Sequence, residues 1–327
     1  MIRIATFNAE NLFSRVLILN KEGKRRDEVD NTPLKQLIAK GLVRVRKTRE
    51  GQEWITYTRT SISGVAQQNT ARVIDALDAD VVCLQEVEDL ETLRLFNQQV
   101  LFPVQKKSHH TPYPYLLLID GNDKKRFIDV AIMSRFPIGA IRTHIFDRKD
   151  NKLVFSRDCL EVEVKTGDDI ALNFLINHFK SQIPQFVGGE DQSPIKRGRQ
   201  ATRVAEILKE RFESNPRGYF VVAGDLNDEP ASPQIAPLIN TDSPQLFNVN
   251  TESDDGENWT HLYGNKKERF DYLLISQNLR QKLKHVHIER RGISRSRRAY
   301  AGERFKTVEG MGTEASDHCG VVASLDI

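Results

Sequence analysis

Apolar residues recur along this chain in short runs separated by polar turns. Strands are expected at 2-IRIATF-7, 80-DVVCLQE-86, 115-YLLLI-119, 128-IDVAIMS-134, 158-DCLEVEV-164, 170-IALNFLINH-178, 219-YFVVAGD-225, 270-FDYLLIS-276 and 320-GVVASLDI-327. Some alternate with period two and others are continuously apolar, as in sheets with a buried face. Helical spacing marks 68-QNTARVIDALDA-79, where Ala71, Ile74, Ala76 and Leu77 form a stripe, and 198-GRQATRVAEILKERFE-213, with Ala201, Val204, Ala205, Leu208 and Phe212. A third helix is expected at 90-LETLRLFNQQVL-101. Many strands and few helices, with no internal repeat or low-complexity linker, predict a layered α/β sandwich: two packed sheets with helices outside.

The segment from about 14 to 63 breaks this pattern. It is strongly charged, with a short helical piece at 33-PLKQLIAKG-41 and a hairpin-like pair, 42-LVRVRK-47 and 53-EWITYT-58. It reads as an insertion between the first strand and the first helix, within a single domain spanning 1–327.

Composition changes the picture in three places. No run of eighteen apolar residues is present, so no membrane-spanning helix is expected. The opening MIRIATFN lacks the basic region and long apolar run of a secretion signal, and a cytoplasmic location is expected. Cys83, Cys159 and Cys319 have neither disulfide-framework nor metal-type spacing and read as core residues. The net charge is +3, yet residues 280–306 alone carry ten Lys/Arg against two Glu. That local positive field suits a polyanionic partner; the plainer reading is a solvated loop.

Chemistry concentrates at strand ends. In 221-VVAGDLNDEP-230 a buried run stops at Asp225, Leu226 and Asn227. Residues two apart on an extended chain point the same way, so Asp225 and Asn227 can orient a water; they also suit an Asx-type turn. Asn8 and Glu10 follow the first strand and Glu86 ends the second. Such carboxylate and amide oxygens are the donors hard cations such as Mg²⁺ and Mn²⁺ prefer. Asp317 and His318 stand together before the last strand, and His178, followed by Lys180, closes the run 173-NFLINH-178. Asp271 opens an apolar strand, and a buried acid needs a partner such as a histidine.

Taken in order, TFNAENLF, LQEVED, DVAIMSRFPI, NHFKS, GDLND, FDYLLIS and SDH resemble the motifs of the endonuclease/exonuclease/phosphatase superfamily over nearly the whole chain. The resemblance implies a four-layer α/β sandwich of two mostly antiparallel sheets flanked by helices, with the active site at one rim. It implies that Glu86 is the principal ligand of Mg²⁺ or Mn²⁺, with Asn8 and Asp317 as metal-site partners. Glu10 sits where relatives carry an acid or a polar residue. Asp225 and Asn227 would position and activate the attacking water. Asp271 would orient a histidine, His318, and His178 and His318 would bind and neutralise phosphoryl oxygens. Two departures stand out: Cys319-Gly320 replaces a region where many relatives carry proline, and 125-KRFID-129 lacks the tyrosine usual in abasic endonucleases. Arg126 and Lys180 are candidate phosphate contacts, a surface salt bridge being the alternative for Arg126.

The implied activity is metal-dependent phosphoester hydrolysis. Arginines interspersed with Trp54, Tyr57, Tyr300 and Phe305 favour a nuclease acting on DNA or RNA, because cations grip phosphates and aromatics stack bases. The alternatives are a phosphatase or phosphodiesterase for a small polyanion, such as an inositol phosphate, nucleotide or phospholipid head group, and a non-catalytic binding protein. Oligomeric state and cleavage polarity are not legible in the sequence.

Overall fold

The computed structural model describes residues 1–12, 44–47, 53–56, 64–123, 126, 128–167 and 170–327. Twelve strands build two six-stranded sheets. They are β1 (Ile2–Leu12), β2 (Val81–Val87), β3 (Tyr115–Leu118), β4 (Asp129–Ser134), β5 (Ile138–Arg142), β6 (Cys159–Lys165), β7 (Ala171–His178), β8 (Tyr219–Asp225), β9 (Leu246–Asn248), β10 (Asp271–Ser276), β11 (Leu283–Glu289) and β12 (Gly320–Leu325). The first sheet runs β11-β12-β1-β2-β4-β3 and the second β9-β10-β8-β7-β6-β5. Each has one parallel pair at its centre, β1 with β2 and β7 with β8; the other pairs are antiparallel. The two sheets therefore share one plan, although the sequence carries no visible repeat.

The period-two patterns explain the layers. In β2, Val81 and Cys83 face the other sheet, while Val82 and Leu84 join a separate cluster with Ile74 and Leu77 of helix α1 (Gly64–Leu77). In β8, Val221 and Ala223 enter the inter-sheet core, while Val222 packs with Val204 and Leu208 of helix α2 (Ser193–Ser214). Three apolar layers between four structural layers follow, the four-layer α/β sandwich expected from the sequence. Cys83, Cys159 and Cys319 are all buried thiols.

The expected elements are present; the two large sheets gain three strands, β5, β9 and β11, and short hairpins and helical turns are added outside them. The helix expected at 90–101 passes through a wider turn at Asn97–Leu101 and continues to Ser108. Pro103, which lacks an N–H, follows that turn. Of the insertion, strands Arg44–Lys47 and Glu53–Thr56 pair as the expected antiparallel hairpin. The helical piece at 33–41 and the rest of the insertion lie outside the described residues. No helix among the described residues is long and apolar enough to cross a membrane.

Candidate active site

Both central parallel pairs end at the same rim. Asn8 stands beside Gln85 in one sheet and His178 beside Asp225 in the other. Asn8 Nδ2 donates to Asp225 Oδ2 at 3.0 Å, so the two sheets meet at this point. Glu10, Glu86 and Asn227 have positive φ values of 45°, 62° and 53°. A glutamate rarely adopts this left-handed backbone, which costs on the order of 1–3 kcal/mol, and such residues cluster at functional sites.

Asp225 and Asn227 form an Asx-type turn: the Asn227 N–H donates to Asp225 Oδ1 at 2.7 Å. Asn227 Nδ2 also donates to Asp225 Oδ2 at 2.9 Å. The two side chains meet, as expected, but through this turn and not through strand alternation, because Asn227 is not extended. Leu226 is fully buried between them, as expected.

His318 Nδ1 lies 2.8 Å from Asp271 Oδ2, the carboxylate–histidine pair anticipated from the sequence. Its Nε2 lies 3.5 Å from Asn8 Nδ2, 3.9 Å from Asp225 Oδ2 and 3.8 Å from Asp317 Oδ1. Burial opposes its charge, but the carboxylates of Asp271, Asp225 and Asp317 outweigh that and hold the imidazole well above its usual range. His178 is the opposite case. It lies 3.5 Å from Asp225 and 3.9 Å from Glu86, yet burial, with Arg157 and Arg126 nearby, drives it well below its usual range. The surroundings therefore favour charge on His318 and disfavour it on His178, so the two imidazoles expected to neutralise phosphoryl oxygens are not equivalent.

Burial pushes Asp225 up to about 7, with Asp271 adding to the push and His318 opposing it. Burial, with the Asp317 and Glu314 carboxylates, pushes Glu10 up to about 8, against the Asp317 N–H that it accepts at 2.9 Å. Asp317 also resists ionisation through burial, but His261, His318 and Arg297 bring it down to about 2. Among the described residues Asp271 Oδ1 and His178 Nδ1 have no hydrogen-bond partner. Asn8, Glu10, Glu86 and Asp317 carry hard oxygen donors of the kind a divalent cation takes, but among the described residues the acid and histidine ligand atoms that gather within 4.8 Å of one another are those of His261, Asp317 and His318 and of Asp225, Asp271 and His318, which include Asp317 and neither Glu10 nor Glu86. The Arg126 guanidinium donates to Glu86 Oε1 at 3.1 Å, putting a positive charge on the carboxylate expected to be the principal ligand.

Lys180 is turned away from this centre. Its Nζ donates to the carbonyls of Ser181 at 3.0 Å and Ile183 at 2.7 Å, so it braces its own loop rather than reaching for a phosphate. Sequence reasoning missed two residues. Arg157 is buried, donates to the Phe179 carbonyl at 3.1 Å, pairs with Asp123 at 3.2 Å and leaves Nε unpartnered beneath the site. His261 lies 3.5 Å from Asp317. Arg157 ends a turn, and His261 opens a short polar strand that no hydrophobic pattern marks.

A fold of two sheets meeting in acids, amides and histidines at one rim defines a hydrolase of the four-layer class. The sequence model of the Endonuclease/Exonuclease/phosphatase family matches residues 63–318, and the chain belongs to that family. It is accordingly a metal-dependent phosphoester hydrolase. Among solved structures it is similar to truncated TDP2 from Caenorhabditis elegans, at 16% identity and a TM-score of 0.54, covering 81% of this chain and 92% of that one. It is similar to a beta toxin from Staphylococcus aureus at 17% identity and a TM-score of 0.55, covering 99% and 100%. A mannosyl-6-phosphatase from Bacteroides thetaiotaomicron matches at 16% identity and a TM-score of 0.54, covering 99% of each chain. These likenesses are to the fold. No curated protein sequence matches.

Proposed function

We propose that the chain is a phosphodiesterase that cleaves nucleic acid with Mg²⁺ or Mn²⁺. The observation that carries this reading is the cationic rim. Arg297 is clamped by Glu314 at 2.7 Å and reaches Asp317 at 3.5 Å, which holds its loop against the site. Its exposed neighbours Arg295 and Arg298, and Lys306 further on, make no hydrogen bond or ion pair among the described residues. Exposed cations on the segment that Arg297 ties to Asp317 suit a chain of phosphates.

The cation supplies Lewis-acid charge for the phosphoryl oxygens. Asp225, with Oδ1 engaged by the turn, accepts the proton of the attacking water at Oδ2. Asn8 and Asn227 fix that oxygen through their amide hydrogens. His318, held by Asp271, faces developing negative charge with a positive imidazole, and His178 offers a neutral hydrogen bond.

The test is a cleavage panel of plasmid DNA, single-stranded DNA, RNA, an inositol phosphate and an aryl phosphodiester, each with Mg²⁺, with Mn²⁺ and with chelator. Polynucleotide cleavage that chelator abolishes, reduced about 10²–10⁴-fold in Asp225→Ala and in His318→Ala, supports the reading. Turnover of the inositol phosphate with polynucleotides left intact would replace it with a small-polyanion phosphatase.

A further inference from the structure

The short hairpin of His261–Tyr263 and Lys266–Glu268 lies outside both large sheets, yet its first residue reaches the reaction centre. His261 and His318 form an isolated antiparallel backbone bridge, and their ring centroids are 4.4 Å apart. Phe270 stacks on the His261 ring at 5.0 Å. His261 Nδ1 lies 2.9 Å from Glu268 Oε2. An ionised carboxylate can only accept, so Nδ1 carries a hydrogen, and Nε2 is the ring nitrogen turned to Asp317 and open to a cation in place of a proton. That Nε2 is 3.5 Å from Asp317 Oδ2. His318 repeats the arrangement, with Asp271 behind Nδ1 at 2.8 Å and Nε2 at 3.8 Å from Asp317 Oδ1. Two imidazoles, each backed by a carboxylate, thus present Nε2 to the two oxygens of one aspartate. One ligand atom from each of the three residues lies within 4.8 Å of the others.

This is the surrounding that histidine-bound transition metals use. The carboxylate behind each ring fixes the tautomer, aims the ring and raises its basicity. Zinc bonds nitrogen and oxygen at about 2.0–2.2 Å, and a tetrahedral site spaces its ligand atoms about 3.4 Å apart, so small side-chain rotations suffice here. Two nitrogen donors favour zinc-like ions over Mg²⁺, which keeps oxygen and water ligands.

We propose that His261, Asp317 and His318 form a zinc-type site that shares Asp317 with the expected oxygen donors but does not include Glu86, and that its occupancy blocks hydrolysis because the ion displaces the Nε2 proton of His318 and withdraws that ring from the phosphoryl group. The inhibition rests on the hydrolase reading above; the binding does not. The test uses the chelator-stripped full chain, titrated with Zn²⁺ by calorimetry and with Co²⁺ by visible absorption, in wild type, His261→Phe, Glu268→Gln and Glu86→Gln. Wild type is expected to bind one Zn²⁺ and to give cobalt bands of tetrahedral, nitrogen-ligated type. His261→Phe keeps the ring stack and is expected to bind at least about 100-fold more weakly, Glu268→Gln about 10–100-fold, and Glu86→Gln as wild type. Zn²⁺ added to Mg²⁺-supported cleavage of an aryl phosphodiester is expected to inhibit wild type, with His261→Phe needing at least about tenfold more for the same fractional loss. Zinc affinity and cobalt bands unchanged in His261→Phe, or lost only in Glu86→Gln, would overturn the proposal. Melting curves accompany each variant, and if His261→Phe does not fold, Glu268→Gln decides. If the chain hydrolyses no phosphoester, calorimetry and absorption still judge the site, and the hydrolase reading alone falls.

Discussion

Asp225 uses its two oxygens differently: Oδ1 accepts the Asn227 N–H, while Oδ2 faces Asn8, His178 and His318. Together with Glu10 it makes the metal-free fold sensitive to alkali. Both carboxyls are raised by burial, to about 7 and about 8. Groups raised in the folded state stabilise it fully below their unfolded values and lose that contribution as pH climbs through the folded ones. A cation at the site replaces the departing protons. Mg²⁺ or Mn²⁺ should therefore raise the melting temperature more at pH about 8.5 than at pH about 6, and the difference should shrink in Glu10→Gln. Thermal melts at both pH values with saturating metal measure this, and an equal shift at both would refute the assignment. At this scale much was legible. A strand running into Asp-Leu-Asn suited a turn as well as a water-orienting pair, and a buried Asp271 called for a partner such as a histidine, which the family resemblance named as His318. The downward shift of His178 was not legible, because it depends on burial and on Arg157 and Arg126, which approach from distant segments.

The element that sets the site most tightly is the parallel seam of β7 and β8. Gly224 pairs there with Asn177 at φ +133°, and a Cβ on it would stand 1.9 Å from the Asn177 carbonyl oxygen. Gly224→Ala must therefore part the seam next to His178 and Asp225. A cost of about 3 kcal/mol or more, a melting temperature at least about 5 °C lower and impaired cleavage are expected. Gly188→Ala is the control, because its φ is +60° but nothing lies within 4 Å of its Cβ position. A melt in which both variants fall equally would deny the seam its special role. The sequence made most strands visible through apolar runs bounded by turns. It hid β11, whose Lys284, His285 and His287 disguise an edge strand that buries only one side against β12. It also hid β9, which is three residues long.

Over the whole molecule, charge counting overstated the basic face. Arg290 is buried against Asp255, the Glu257 carbonyl and the Trp259 ring. Arg291 is held by Glu289, Arg297 by Glu314, and Arg304 donates to the Ile293 carbonyl. A sequence gives the number of guanidiniums but not how many the fold consumes, since their partners come from loops far along the chain. Arg280 lies over the Phe247 ring and Lys284 pairs with Asp326, so among the described residues the capacity for phosphates narrows to Lys282 and to three exposed cations near Arg297 in the chain, Arg295, Arg298 and Lys306. That reduction makes the polyanion reading sharper. Replacing these three by glutamine should leave the melting temperature nearly unchanged, because they hold no ion pair among the described residues. The turnover of a small aryl phosphodiester should also hold, since its single phosphate needs only the residues around Asp225 and His318. Polynucleotide KM should rise, and the salt dependence of binding should flatten by about 0.7–0.9 log units per log unit of salt for each lost phosphate contact. Polynucleotide binding measured across a salt series separates the outcomes. An unchanged slope would mean that the strand crosses the site by another path. A parallel loss on the small ester would mean that these cations act on the reaction centre itself and are not a track for the chain of phosphates.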